Sequence, residues 1–229
     1  MKTTSGLQTL LGRSEQPSQR TTMNQKSPPI LKELLKGYRI ILASASPRRK
    51  ELLSGLDIDF TVEVNSDIDE NIEFDCPIFE MPEQLSKLKS ENFGRELRED
   101  EILITADTLV FCDNEILGKP KDNQDAADML HKLSGRSHNV ITGITIRSTR
   151  KSANFSVLST VYFKLLLKSE IDYYIDNYKP FDKAGAYGIQ EWIGYTAIER
   201  IEGSYFNIVG LPVQRLSEAL REFRLPRGK

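Results

Sequence analysis

The stretch Ile40-Ile-Leu-Ala-Ser-Ala-Ser-Pro-Arg-Arg-Lys-Glu-Leu-Leu53 decides how the rest of the chain is read. Ile40 to Ala43 is a short apolar run rich in β-branched residues, the pattern of a buried strand, and it stops at Ser-Ala-Ser-Pro. Pro47 suits a first helical position, and Ser46 before it can cap free amides. Leu52, Leu53 and Leu56 supply an apolar stripe that docks onto the strand. Strand, tight turn and helix N-terminus make an anion site, because exposed amides and the positive end of the helix dipole favour negative charge there. Ser44, Ser46, Arg48 and Arg49 add hydroxyls and guanidinium forks within one turn. A solvated helix face also accommodates two arginines. Arginines in a first turn oppose the dipole, however, and a helix built for stability alone would carry Asp or Glu.

With 229 residues and 39% hydrophobic content, the chain can bury one substantial core, and one domain is expected. Lys plus Arg number 31 against 33 Asp plus Glu, so a net charge of -2 gives no general reason to expect nucleic-acid binding, and any affinity for phosphate is local. No apolar run reaches the length of a membrane helix and no secretory segment is evident, which predicts a soluble protein without a membrane partner. Cys76 and Cys112 have neither metal-ligand spacing nor disulfide-scaffold density, and both read as reduced thiols of a cytoplasmic protein. Residues 1–29 are polar and rich in Ser and Thr and read as a disordered extension before a domain spanning residues 30–229. Their basic, acid-poor composition leaves a mitochondrial transit peptide as the alternative.

Along the chain, Phe60–Val64 alternates like a half-buried strand and runs into the acidic loop Asp67-Ile-Asp-Glu70. Residues 78–98 are helical in composition. Ile102–Ala106 reads as a strand ending at Asp107 and resuming through Leu109 to Phe111, with a hairpin through Asp113-Asn114. A capped helix covers Asn123–Leu133. Two long strands follow, about Asn139–Arg147 and Phe155–Leu167, then a helix at Ile171–Tyr178, a strand at Thr196–Ile201 and a final amphipathic helix at Val213–Phe223. The expected fold is α/β, a mixed and partly antiparallel central sheet flanked by helices.

Asp107 falls at a strand's carboxyl end, where open α/β sheets build their sites, although a turn-capping aspartate fits the same position. Asp182-Lys-Ala-Gly-Ala-Tyr-Gly-Ile-Gln190, a loop or short strand, offers glycines for close backbone approach. Its Lys183 is a point charge, and the carboxamide of Gln190 can read a base edge. Asp67, Asp69 and Glu70 are hard oxygen ligands of the type Mg²⁺ or Mn²⁺ prefers. His138 starts a strand with no carboxylate at readable spacing, so a structural or hydrogen-bonding role is expected of it.

Four ordered blocks carry a resemblance: Ser-x-Ser-Pro-Arg-Arg-x-Glu-Leu-Leu from Ser44, Ala106-Asp-Thr-Leu-Val110 with Ile116-Leu-Gly-Lys-Pro120, Asp182 to Gln190, and Ile201-Glu-Gly-Ser-Tyr-x-Asn-Ile-Val-Gly-Leu-Pro212. Arg136-Ser-His138 and Thr142-Gly143 continue it. Together they resemble the Maf family of nucleoside triphosphate pyrophosphatases, also called septum-formation-inhibitor-like proteins, from about Arg39 to Phe223. The resemblance implies a fold similar to that of inosine triphosphate pyrophosphatases. It implies catalysis by Asp107, Glu70 and Lys119 with a divalent cation, Mg or Mn, held by Glu70 and Asp107. Substrate binding is implied for Ser44, Ser46, Arg48, Arg49, Lys89, Thr108, Lys183 and Gln190. Arg48, Thr108 and Gln190 match the branch that takes dTTP and UTP. A nucleoside triphosphate is thus the expected partner, a homodimer is allowed, and the competing reading is a nucleotide-binding regulator of cell division that does not hydrolyse. Glu191-Trp192 departs from the family's glycine-rich continuation after Gln190, which leaves the closure of that loop open.

Overall fold

The computed structural model describes residues 30–64, 76–113 and 115–223. The expectations for the extension 1–29, for Asp67, Asp69 and Glu70, and for Asn114 lie outside the described residues. A short α1 (Leu31–Leu34) leads into β1 (Arg39–Leu42). The backbone then turns into α2 (Pro47–Ser54), where the hydroxyl of Ser46 accepts from the amide of Arg49 at 3.4 Å. After β2 (Phe60–Val62), α3 (Met81–Glu91) precedes the long β3 (Glu101–Cys112) and its hairpin partner β4 (Glu115–Leu117). Asp122 caps α4 (Asn123–Leu133), which runs into the hairpin of β5 (Ser137–Arg147) and β6 (Ser152–Phe163). The C-terminal part holds α5 (Lys168–Tyr178), α6 (Trp192–Ala197), β7 (Ile198–Glu202), α7 (Tyr205–Val209) and α8 (Val213–Leu220).

Among the described residues seven strands form one sheet, ordered β2-β1-β3-β5-β6-β7 with β4 on the end of β3. β1 pairs in parallel with β2 and β3, and the remaining pairings are antiparallel. The sheet is therefore mixed, with helices on its faces, as the alternation of elements predicts.

Strand alternation sorts β3 into two faces. Ile102, Ile104 and Ala106 pack with Leu53 of α2 and with Leu216 and Leu220 of α8. Leu103 and Thr105 point the other way, where Leu103 meets Phe93 and Thr105 Oγ1 donates to the carbonyl of Ser86 in α3 at 2.6 Å. Gly143, opposite Asp107 in the β3–β5 register, lets α3 come this close. A Cβ there would stand 2.1 Å from the carbonyl oxygen of Pro82, so any side chain would push the helix off the sheet. A second apolar core lies where Leu130 and Leu133 of α4, Ile171 and Tyr174 of α5, and Val161 of β6 pack together.

Several boundaries differ from the sequence reading. β3 does not break at Asp107, because β5 pairs with it continuously from Leu103 to Phe111. The helix expected over residues 78–98 stops at Glu91, since Phe93 turns into the sheet and Arg95 folds back onto Glu63 and Glu101. β6 ends at Phe163, after which the amide of Lys164 donates to the carbonyl of Ala197. The strand expected from Thr196 starts at Ile198, and Trp192–Ala197 is helical instead. There Gly194 lies against the carbonyl of Ile189, 1.8 Å from where a Cβ would be, a close local turn of the chain that only glycine admits.

Candidate active site

β1 stops at Leu42 while β3 runs on to Cys112, so the carboxyl end of β1 opens onto the flank of β3. A cleft of about 920 Å³ lies there, within the size range of small-molecule sites, walled by the β1–α2 turn, Asp107 to Val110, the end of β4 with Gly118 and Lys119, the Asp182–Gln190 loop and the end of α7. This step in the sheet, rather than a strand end, puts Asp107 at a site.

Asp107 shares the face of β3 that α3 covers, and it is buried. Lys89, on the last turn of α3, donates to its Oδ1 at 2.5 Å, and both side chains line the cleft. The helix held on the sheet by Gly143 and Thr105 thus delivers the ammonium to the carboxylate. Lys89 reads in the sequence as one charge among many; its periodicity with Leu85 is the signal that puts it on the sheet-facing side.

The β1–α2 turn behaves differently from a simple anion cradle. Arg49 donates from Nε to the carbonyl of Gly210 at 2.9 Å, from Nη1 to the carbonyl of Ala106 at 2.8 Å and to Ser44 Oγ at 3.3 Å, and from Nη2 to Thr108 Oγ1 at 3.1 Å. It ties α2 to β3 and to the end of α7. Thr108 Oγ1 also lies 2.9 Å from Thr142 Oγ1, and the Thr142 hydroxyl donates to the carbonyl of Asn207 at 3.0 Å. Ser44 accepts from Arg49 and from the amide of Ser46, whose own hydroxyl caps α2. The sequence pattern contains these donors. Their acceptors, distant in sequence, are legible only in the fold.

Across the cleft, Arg48 Nη1 meets Asp182 Oδ2 at 2.6 Å, and Asp182 Oδ1 accepts from Lys183 at 2.7 Å. Partial burial pushes the Asp182 carboxyl up, but the hydrogen bonds from Lys183 and Arg48 outweigh it and hold the group down at about 2. Lys183 is itself buried and has a second carboxylate, Glu191 Oε1, at 3.0 Å. Lys119, by contrast, is exposed on the cleft wall and has no ion-pair partner among the described residues. Gln190 also lines the cleft, with a carboxamide that makes no hydrogen bond among the described residues.

His138 stands behind the wall. Its Nε2 lies 2.7 Å from the hydroxyl of Tyr187, and its ring packs edge-on against Phe163 and Tyr187. Burial drives its pKa down to about 3, so the neutral ring supports Tyr187, which lines the cleft. That is the hydrogen-bonding role its sequence context predicts.

No group of three or more His, Cys, Asp or Glu able to hold a metal occurs among the described residues. Asp107 does supply a hard oxygen on the wall, and Mg²⁺ arriving on a triphosphate takes one or two carboxylates beside the phosphates. The wall fits a cation delivered with its ligand rather than a cage made by protein alone. No described helix is long and apolar enough to cross a membrane.

The Maf-like protein family matches residues 39–223. The dTTP/UTP pyrophosphatase of Parabacteroides distasonis is 51% identical over 191 residues, which cover 83% of this chain and 99% of that protein. The dTTP/UTP pyrophosphatase of Bacteroides thetaiotaomicron is 48% identical over 185 residues, 81% of this chain and 96% of that protein. Among solved structures, the Ham1 protein of Staphylococcus aureus aligns with 81% of this chain and all of its own at 13% identity and a TM-score of 0.46. The family match begins at β1 and ends beyond α8, spanning every wall of the cleft, and the chain belongs to the Maf-like proteins.

Proposed function

We propose that the cleft hydrolyses the bond between the α and β phosphates of dTTP and UTP, releasing the nucleoside monophosphate and pyrophosphate. The observation that carries this reading is the placement of a buried carboxylate, Asp107, in one cleft with a cation, Lys119, and a carboxamide, Gln190, that have no partner among the described residues. The names of the half-identical relatives point to the same substrates.

Lys89 fixes the Asp107 carboxylate, which orients a water towards the α phosphorus and accepts its proton as the bond to the bridging oxygen breaks. Negative charge then grows on the departing pyrophosphate. Lys119 meets it without rearrangement, helped by the Arg48 amide at the start of α2, which is how pre-placed charges and dipoles lower a barrier. Arg49 and Thr108 hold that turn against β3. A divalent cation carried in with the triphosphate would sit at Asp107, with Glu70 as its second carboxylate, and would neutralise phosphate charge. At the other end, thymine and uracil offer a carbonyl beside a ring N–H, and the Gln190 carboxamide matches both with one planar group. A cytoplasmic location and a homodimer belong to the same proposal, supported by the lack of a disulfide between Cys76 and Cys112 for the first and by the family resemblance for the second.

Pyrophosphate release across a panel of nucleoside triphosphates with Mg²⁺ or Mn²⁺ tests the reading. We expect kcat/KM for dTTP and UTP at least about tenfold above CTP, dCTP and the purine triphosphates, the ratio that one unpaired polar edge costs. A purine preference would remove the base-reading role. Binding without release would favour the non-hydrolysing regulator. Loss of turnover in excess chelator and its return with Mg²⁺ test the cation.

A further inference from the structure

Glu191 stands next to the cleft at the position where the chain departs from the family's sequence pattern. The phenol of Tyr174, which is fully buried, donates to Glu191 Oε2 and accepts from the amide of Gly188 at 2.9 Å. Burial and the neighbouring Glu191 carboxylate raise the Tyr174 pKa, so the phenol keeps its proton and the direction of these bonds is fixed. The other oxygen of Glu191 holds Lys183 at 3.0 Å, and the amide of Glu191 donates back to the carbonyl of Gly188 at 3.0 Å. Gly188 is the floor of this arrangement. A Cβ there would lie 2.9 Å from Glu191 Cδ and 3.0 Å from both Lys183 Cε and Gln190 Nε2, so these three side chains converge over one bare backbone position.

The charges also matter. Lys183 is enclosed by Asp182 and Glu191, and its ammonium is neutralised by protein before any phosphate arrives. Among the described residues Lys119 has no such enclosure. The strong contacts of Lys183 therefore go into holding the loop, and Lys119 remains to meet phosphate.

We propose that Glu191, aligned by Tyr174, is a positioning residue: it locks Lys183 and the Gly188–Gln190 turn so that the Gln190 carboxamide faces the base. This rests on the pyrophosphatase reading and deepens it, since it assigns base discrimination to a residue that would not touch the nucleotide. It also accounts for the loop's closure without the glycine that the family pattern carries after Gln190.

Steady-state kinetics with dTTP and CTP on the full chain test it. Glu191→Ala is expected to raise KM for dTTP about tenfold and to shrink the dTTP-to-CTP ratio of kcat/KM by a similar factor, with kcat changed less than about threefold. Tyr174→Phe, which keeps the ring and removes the hydroxyl, is expected to shift the ratio the same way, and it decides the matter should Glu191→Ala not fold. Glu191→Gln keeps the shape but has one carbonyl oxygen, which can accept from Lys183 or from Tyr174 and not from both, and is expected to restore the ratio only in part. A wild-type enzyme that discriminates, with an undiminished ratio in the variants or with kcat lost equally for both nucleotides, overturns the proposal alone. No pyrophosphate from dTTP with wild-type protein overturns both it and the pyrophosphatase reading.

Discussion

Glu101 and Asp107 stand on the same strand and, by its alternation, on the same face, yet their surroundings differ in kind. Glu101 is fully buried at the start of β3, accepts from Arg95 at 2.7 and 3.1 Å and from the Arg98 amide at 3.0 Å, and pairs with the guanidiniums of Arg98 at 2.9 Å and Arg39 at 3.9 Å. The hydrogen bonds from Arg95 lead, over the opposing effect of burial, in holding its carboxyl down at about 2. Asp107 meets one cation among the described residues, Lys89, at a cleft wall. A carboxylate whose lone pairs are all occupied can only hold structure together, whereas one that has a single partner keeps acceptor capacity for a water or a cation. Charge and burial alone do not separate the two; the number of donors does.

The contrast breaks most sharply at Asp107 itself. Asp107→Asn keeps the shape and an acceptor for Lys89 but deletes the charge, so turnover of dTTP should fall about 10²-fold or more while Tm moves less than about 4 °C. Turnover within threefold of wild type would end the catalytic assignment. Gly143→Ala should couple the two properties, because the added methyl displaces the start of α3 and with it Lys89. Thermal unfolding and kinetics on the same sample should show both Tm and turnover reduced; a change in Tm alone would mean that Lys89 is not delivered by that contact.

Glu101→Gln is the mirror image of Asp107→Asn. Removing one charge from a buried pair strands its partners, but these arginines are partly exposed and can turn to water. The expected cost is therefore about 2 kcal/mol, roughly 5 °C in Tm, with kcat/KM of the folded fraction within about threefold. Equal loss of activity and stability would show that the start of β3 communicates with the cleft.

Acid sensitivity bears on the comparison from the side of burial. His138 has a pKa depressed to about 3 by burial, so it is neutral in both folded and unfolded chains above the usual histidine value of about 6.5, and folding costs nothing there. Below that value the unfolded chain binds a proton that the folded one refuses, and stability falls as pH drops towards 3. Glu101, depressed to about 2, adds a second loss only below the usual carboxylate value of about 4.3. Tm measured from pH 8 to pH 4 should begin to decline near 6.5, and His138→Gln, which can still bond Tyr187, should postpone the decline to the lower step. An unchanged profile would show that the His138 site admits the proton.

How much of this is visible in the sequence depends on the range of the cause. Ser46 and Pro47 announce the start of α2 because capping is local chemistry, and Asp122 does the same for α4. The helical turn at Trp192–Ala197 is not announced, because the approach of Gly194 to the carbonyl of Ile189 is visible only in the fold. Ser44, Ser46, Arg48, Arg49, Thr108, Lys119, Lys183 and Gln190 all line or touch one cleft, together with Asp107 and Lys89. Their division of labour is not in the pattern. Arg49 reads as a phosphate fork and is spread over the backbone of Ala106 and Gly210; Lys183 reads as a free charge and is enclosed by two carboxylates. Glu191 carried no signal beyond breaking a motif.

Hydrolysis of dTTP in water labelled with heavy oxygen tests most directly whether this cleft directs water to the α phosphorus. Mass spectrometry of the products should find the label in the nucleoside monophosphate and none in the pyrophosphate. Label in pyrophosphate, or release of orthophosphate and a nucleoside diphosphate, would contradict the account.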